Sequence, residues 1–125
     1  MQIKKLDHVN IRTNQLGAMV EWYCDILGLR KGKRPDFSFG GAWLYAGDQA
    51  VVHLIEVEDA GAGSETDLKL EHFAFFAHGL SDFIAKLDRL DAPYRRSDLP
   101  DGSRVQVNIW DVDGNHIHVD FESNA

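Results

Sequence analysis

Two short segments of the chain nearly repeat each other, KLDHVNI at residues 5–11 and KLEHFAF at residues 69–75. They begin 64 residues apart in a chain of 125 residues, so the sequence predicts two copies of one module. Each segment is typical of a strand and carries one histidine, His8 in the first and His72 in the second. A histidine repeated at equivalent strand positions is what a metal site shared between two pseudo-symmetric halves would need.

The rest of each half fits a β-α-β-β-β module. After the first strand, apolar side chains recur with the spacing of an amphipathic helix that packs one face on a sheet. The elements predicted for module one, residues 1–57, are strand 5–13, helix 16–27, a loop with Gly28, Gly32 and Pro35, and strands 41–47 and 50–57. Those predicted for module two, residues 69–125, are strand 69–77, helix 80–90 and strands 92–97, 103–111 and 115–122. The second strand of module one has no clear segment, and the acidic, glycine-rich stretch 58–68 is predicted to link the modules within a single domain.

Alignment of the two halves yields a second pair of equivalent histidines. VVHLIEV at residues 51–57 aligns with HIHVDFE at residues 116–122. These segments begin 65 residues apart rather than 64, a difference that one inserted loop residue explains. This alignment pairs His53 with His118. Side chains alternate across a strand, and the apolar neighbours of each histidine predict which face a helix covers. All four histidines are therefore expected on the face turned away from the helices.

Composition narrows the classes of function. The net charge of −7 argues against nucleic-acid binding, because no basic stripe is present to neutralise phosphates. The single cysteine, Cys24, rules out an internal disulfide. No apolar run approaches the roughly 20 residues of a membrane span, and no signal-like leader opens the chain. A cytoplasmic protein that binds neither nucleic acid nor membrane is therefore expected.

The chain resembles the vicinal oxygen chelate superfamily, which includes glyoxalases, extradiol dioxygenases, fosfomycin-resistance enzymes and bleomycin-binding proteins. The resemblance is carried by LDHVNI, the helix end YCDILGL, the strands GAWLY and VVHLIEV, and the later segments LEHFAF and DVDGNHIHVDF. It implies an α+β fold in which two tandem βαβββ modules form an incomplete, cup-shaped barrel around a divalent metal. It also implies a homodimer, in which modules from two chains can build each site. The metal ligands implied by the resemblance are His8, His53, His72 and His118.

One region departs from the family pattern. The family's last strand typically follows a DPDGN turn and carries a metal-binding glutamate, whereas here Val112 replaces the proline and His118 the glutamate. In glyoxalase-type isomerases, carboxylate ligands also move the substrate proton, and His53 and His118 occupy those positions. The missing carboxylates weigh against methylglyoxal chemistry and against the two-histidine, one-carboxylate triad of extradiol dioxygenases.

A metal site made only of histidines favours particular metals, and proton transfer and substrate binding would fall to other residues. Imidazole suits zinc, iron, nickel or copper better than magnesium or calcium, and the expected cofactor is a divalent ion such as zinc, iron, nickel or manganese. Proton transfer would need a further group, and Asp120 and His116, on the same face as His118, are the predicted catalytic residues. The residues predicted to contact a small-molecule substrate are Arg12, Trp43, Asn108 and Trp110.

Three functions remain open from the sequence. The first is a metal-dependent lyase, isomerase or ring-cleaving dioxygenase that acts on a small oxygen-chelating substrate. The second is a metal-free protein that binds an antibiotic of the bleomycin type and so confers resistance. The third is a regulatory or orphan member that retains the fold without catalysis. Four matched histidines favour the first function, and the absent carboxylates keep the second open.

Overall fold

The computed structural model describes residues 1–60 and 69–123. Contacts along the chain divide it into two compact units, Met1–Gly63 and Ser64–Ala125. Most of the predicted linker 58–68 lies outside the described residues, and so does the end of module two. The grouping of both modules into one domain stays a prediction.

The two units have the same order of elements and the same sheet topology. Unit one comprises β1 (Val9–Thr13), α1 (Leu16–Leu27), β2 (Arg30–Gly32), β3 (Gly41–Ala46) and β4 (Gln49–Glu56). Unit two comprises β5 (Phe73–Phe76), α2 (Leu80–Arg89), β6 (Arg95–Asp98), β7 (Arg104–Trp110) and β8 (His116–Glu122). The sheets have the orders β1-β4-β3-β2 and β5-β8-β7-β6, each with one parallel pair formed by its first and last strands in chain order. This confirms the predicted α+β architecture of two tandem βαβββ modules.

Each unit has its own apolar core, as the residue spacing predicted. The buried side chains of α1 are Met19, Tyr23 and Ile26, and those of α2 are Leu80 and Leu87. The strands supply branched and aromatic side chains, among them Leu44, Val52 and Leu54 in unit one and Val107, Ile117 and Phe121 in unit two. Helix α1 ends where Gly28 adopts a left-handed conformation and its N–H donates to the Tyr23 carbonyl, a common way to stop a helix.

Strand β2 is absent from the predicted elements. It has only three residues, Arg30–Gly32, and they show no apolar alternation. Its position is set by the neighbouring strand β3. The ring of Tyr45 lies so close to Gly32 that a Cβ atom at residue 32 would be 2.8 Å from it. The hydroxyl of Tyr45 also donates to the Lys33 carbonyl. The aromatic ring thus fixes this edge of the sheet from the neighbouring strand.

Strands β1 and β5 begin directly after His8 and His72, so the prediction that these histidines lie within the strands is wrong. The segment that precedes β1 is held by a side chain rather than by a strand ladder. The Gln49 amide donates to the Asp7 carbonyl and accepts from the Lys5 ammonium. His8 therefore lies just outside the ladder of β1.

Among the described residues, no helix is long and apolar enough to cross a membrane.

Candidate metal centre

The two predicted ligands of unit one lie against each other. The rings of His8 and His53 are stacked, with their centroids 3.9 Å apart and their planes 9° from parallel. His53 also stacks on Trp43, its direct partner in the β3–β4 ladder, at 4.1 Å. These contacts leave His53 only 9% exposed. The structure therefore brings together two predicted metal ligands and one predicted substrate contact.

Each of these rings has one nitrogen engaged by an oxygen. Nδ1 of His8 donates to the Asp7 carboxylate at 2.8 Å, and Nε2 of His53 donates to the Ala50 carbonyl at 3.1 Å. Within the part of the chain that the structure describes, the other nitrogen of each ring has no hydrogen bond. Burial, reinforced by the nearby charge of His8, lowers the pKa of His53 and so favours the neutral ring that metals bind. The hydrogen bond from His8 lowers the pKa of the Asp7 carboxyl.

A cleft of about 510 Å³ opens beside this pair. Its lining includes both histidines, the aromatic rings of Trp43 and Tyr45, and the side chain of Lys5. This volume falls within the range of small-molecule sites, which are typically lined by aromatic side chains and a few polar groups.

The predicted ligands of unit two are also neighbours. The ring centroids of His72 and His118 lie 4.3 Å apart. Nδ1 of His118 donates to Oδ1 of Asp120 at 2.5 Å, and Oδ2 of Asp120 accepts from Arg104 at 3.4 Å. His118 and Asp120 are each 6% exposed. Asp120, a predicted catalytic residue, is therefore buried behind His118 with both carboxylate oxygens engaged.

His116, the other predicted catalytic residue, is held from several sides. Its Nε2 lies 2.8 Å from Oδ1 of Asn108, and its ring stacks on Trp110 with the centroids 5.4 Å apart. The Asn108 amide is itself fixed, because its Nδ2 donates to the Arg95 carbonyl at 3.0 Å. Asn108 and Trp110, predicted substrate contacts, thus support a histidine.

Glu71 was missed by reasoning from the sequence. Its Oε2 lies 2.6 Å from Nδ1 of His116 and 3.3 Å from Nδ1 of His72. The hydrogen bond with His116 is the main cause that lowers the pKa of the Glu71 carboxyl. The signal was present in the repeat itself, since an acidic residue precedes the histidine in both copies, as Asp7 and Glu71. Both acids contact the ring that follows them.

Arg12 is the one predicted substrate contact that the structure does not bring to either histidine cluster. It is exposed on β1, opposite Ile55 of β4. Within the described residues, no hydrogen bond, ion pair or ring contact joins it to the histidines.

A model of the Glyoxalase/Bleomycin resistance protein/Dioxygenase superfamily matches residues 5–119 of the chain. The chain belongs to this superfamily. The match runs from the first repeated strand almost to the end of β8, so it spans both modules. The resemblance noted in the sequence is thereby confirmed. No curated protein matches the chain in sequence.

Several solved structures share the fold over nearly the whole chain. A glyoxylase/bleomycin resistance protein/dioxygenase domain from Frankia sp. EAN1pec has a TM-score of 0.78 at 19% identity, covering 97% of this chain and 99% of that one. A lactoylglutathione lyase from Agrobacterium tumefaciens has a TM-score of 0.74 at 18% identity, covering 99% and 98%. A glyoxalase family protein from Enterococcus faecalis has a TM-score of 0.74 at 21% identity, covering 96% and 99%. At these identities the similarity shows the fold alone.

Proposed function

We propose that this superfamily member is a divalent-metal-dependent enzyme that acts on a small oxygen-chelating molecule, as a lyase, isomerase or ring-cleaving dioxygenase. The proposed metal ligands are His8, His53, His72 and His118. One observation carries the proposal: in each of these rings, one nitrogen donates to an oxygen and the other makes no hydrogen bond within the described chain. Histidines that bind metals have this arrangement, because the engaged nitrogen fixes the tautomer and aims the other.

The residues present fit a transition-metal ion. Three of the four rings donate to a carboxylate, from Asp7, Glu71 and Asp120, and such an acceptor makes imidazole a better ligand. When bound, a zinc, iron, nickel or manganese ion would polarise the substrate oxygens and stabilise the negative charge that develops on them. Divalent metals are common in the superfamily.

The contacts of Asp120 and His116 support positioning roles rather than the proton transfer first predicted for them. Both oxygens of Asp120 and both nitrogens of His116 are engaged by neighbouring side chains. We propose that Asp120 orients His118 and that His116 holds Glu71. Trp43, Trp110 and Asn108 keep their proposed place at the edge of the substrate site, and Arg12 is proposed to attract an anionic substrate from the surface.

Metal content tests the proposal. Protein purified without a histidine tag is expected to contain about one divalent metal per chain, as measured by mass spectrometry of the elements. The His8→Ala, His72→Ala double variant should lose this metal, while His78→Ala should retain it, because His78 is exposed and outside both clusters. Metal retained by the double variant would contradict the ligand assignment.

The second candidate function is metal-free binding of an antibiotic of the bleomycin type. The observation that favours it is the cleft lined by Trp43 and Tyr45, because aromatic walls bind flat ligand rings without any metal. Absence of metal after incubation with zinc, iron, nickel and manganese salts would favour this function over the first.

We also propose a homodimer, supported by apolar side chains at equivalent positions of the repeat. Leu6 and Leu70 stand two residues before His8 and His72 and are 79% and 69% exposed. Ile3 is 80% exposed, so an apolar surface precedes β1. Exposed apolar surface of this kind is typical of interfaces. Sedimentation is expected to show a dimer that the Leu6→Ser, Leu70→Ser variant shifts towards monomer; a monomeric parent protein would contradict this.

A further inference from the structure

Unit two contains a group of three possible metal ligands, one carboxylate and two histidines. Glu71 lies between two imidazoles, His72 and His116, and one ligand atom from each of the three side chains lies within 4.8 Å of the others. In the aligned repeat, the position of His116 corresponds to Val51, so unit one has no counterpart of His116 beside Asp7 and His8. Among the described residues, Glu71, His72 and His116 are the one group of three histidine or acidic side chains whose ligand atoms lie close enough together to hold a metal ion.

The hydrogen-bond partners of His116 indicate which of its two ring nitrogens carries a hydrogen. The Asn108 amide donates to the Arg95 carbonyl, so its oxygen must be the atom that faces Nε2 of His116. Nε2 therefore carries the hydrogen, and a neutral ring has its lone pair on Nδ1. That lone pair points at a carboxylate oxygen of Glu71, 2.6 Å away. Nδ1 is therefore the nitrogen through which a neutral His116 ring would bind an ion, and Glu71 and His72 lie beside it.

His116 is held by its neighbours in the way that metal-binding histidines are held. The ring donates its far N–H to a fixed oxygen and stacks on Trp110 with the planes 15° from parallel. Outer contacts of this kind set the orientation of ligating histidines in known metal sites. The Glu71 side chain is 65% exposed, so it can move by the few tenths of an ångström needed to admit an ion.

We infer that Glu71, His72 and His116 form a second divalent transition-metal site that is complete within unit two. Two imidazoles and one carboxylate with open positions suit iron(II), zinc, cobalt(II) or manganese rather than calcium or magnesium. The site does not use His8 or His53. It goes beyond the proposed function, with which it shares His72, so the two sites are alternatives for the one ion of a chain. In the unit-two site the ion would take the place of the hydrogen bonds that His72 and His116 make with Glu71. The site also supplies a carboxylate at a position other than the one held by His118.

Cobalt(II) titration of full-length variants, followed by visible absorption, tests the inference. The His8→Ala, His53→Ala variant lacks the unit-one pair and is expected to bind one equivalent of cobalt(II). Adding Glu71→Gln or His116→Gln to this background should weaken binding by at least about 10-fold, since loss of a direct ligand costs no less than loss of an outer contact. The matched control adds Asp7→Asn, the equivalent change in unit one, to the same background, where His8 is already absent, and it should leave cobalt(II) binding unchanged. Glu71 is exposed, so Glu71→Gln should fold normally, as circular dichroism would verify.

The outcomes separate the two proposals. No cobalt(II) binding by the His8→Ala, His53→Ala variant would overturn the unit-two site, and so would binding that neither Glu71→Gln nor His116→Gln weakens. The proposed function fails in a different way, namely if the wild-type protein and the His8→Ala, His53→Ala variant bind cobalt(II) with the same affinity and the same spectrum.

Discussion

Replacement of Asp120 by alanine is expected to weaken metal binding by about 10–100-fold, the usual cost of losing the partner that orients a ligating histidine. Asp120 accepts from Nδ1 of His118 at 2.5 Å, and both side chains are buried. Without the carboxylate, the His118 ring can rotate or change tautomer. Because its Nδ1 is left without an acceptor in a buried position, the free energy of unfolding should also fall by about 1–3 kcal/mol.

Asp120→Asn is the matched control. It keeps the shape of the side chain and an oxygen that can accept from His118, so it should cost less in both metal affinity and stability than Asp120→Ala. Metal titration and urea unfolding of the same preparations measure the two effects separately. If Asp120→Ala loses stability but binds metal as the wild type does, Asp120 supports the fold and does not orient a ligand.

The Phe121→Ala substitution is expected to lower the free energy of unfolding by about 3–5 kcal/mol, the usual range when a fully buried phenylalanine is truncated. Phe121 is 1% exposed in β8 and packs near the ring of Phe83 in α2, 5.9 Å between centroids. Its removal leaves a cavity where α2 packs on the sheet. Urea unfolding monitored by circular dichroism measures the loss.

Phe76→Ala provides the comparison within the same unit. Phe76 is 50% exposed, and the guanidinium of Arg104 lies 4.7 Å from its ring centroid. Its truncation should cost about 1 kcal/mol or less, since cation–π contacts at exposed sites contribute about 0.5–1 kcal/mol. Equal losses from the two truncations would mean that α2 does not pack over Phe121 as the structure has it.

Much of the fold could be predicted because the repeat and the helical spacing are local signals. Residues 16–27 are helical as predicted, and the duplicated topology follows from the alignment. Strand β2 could not be predicted, because its three residues carry no pattern and Tyr45 of the next strand fixes their position. The sequence predicts that β1 and β5 begin earlier than they do, because the alternation of side chains continues in the sequence beyond the point where the ladder ends.

Only those parts of the candidate site that depend on local sequence patterns could be predicted. The repeat paired His8 with His72 and His53 with His118 as candidate ligands, and the structure brings the rings of His8 and His53 together. The contacts of Glu71 depend on the parallel register of β5 and β8, in which Phe73 lies opposite Ile117. This register brings the residues before β5 beside His116 at the start of β8, and no sequence pattern encodes it. The engagement of Oδ2 of Asp120 likewise depends on a neighbouring strand, because it accepts from Arg104 of β7.

A crystal structure of the zinc-loaded protein, with anomalous diffraction data collected at the zinc edge, tests the central claim most directly. The claim is that His8, His53, His72 and His118 are metal ligands. The expected result is anomalous density at the roughly 2.0–2.1 Å bonding distance of zinc from a ring nitrogen of each of these histidines. Those nitrogens should be the ones that face away from Asp7, Ala50, Glu71 and Asp120. Anomalous density confined to Glu71, His72 and His116, or no density at any of the four histidines, would contradict the claim.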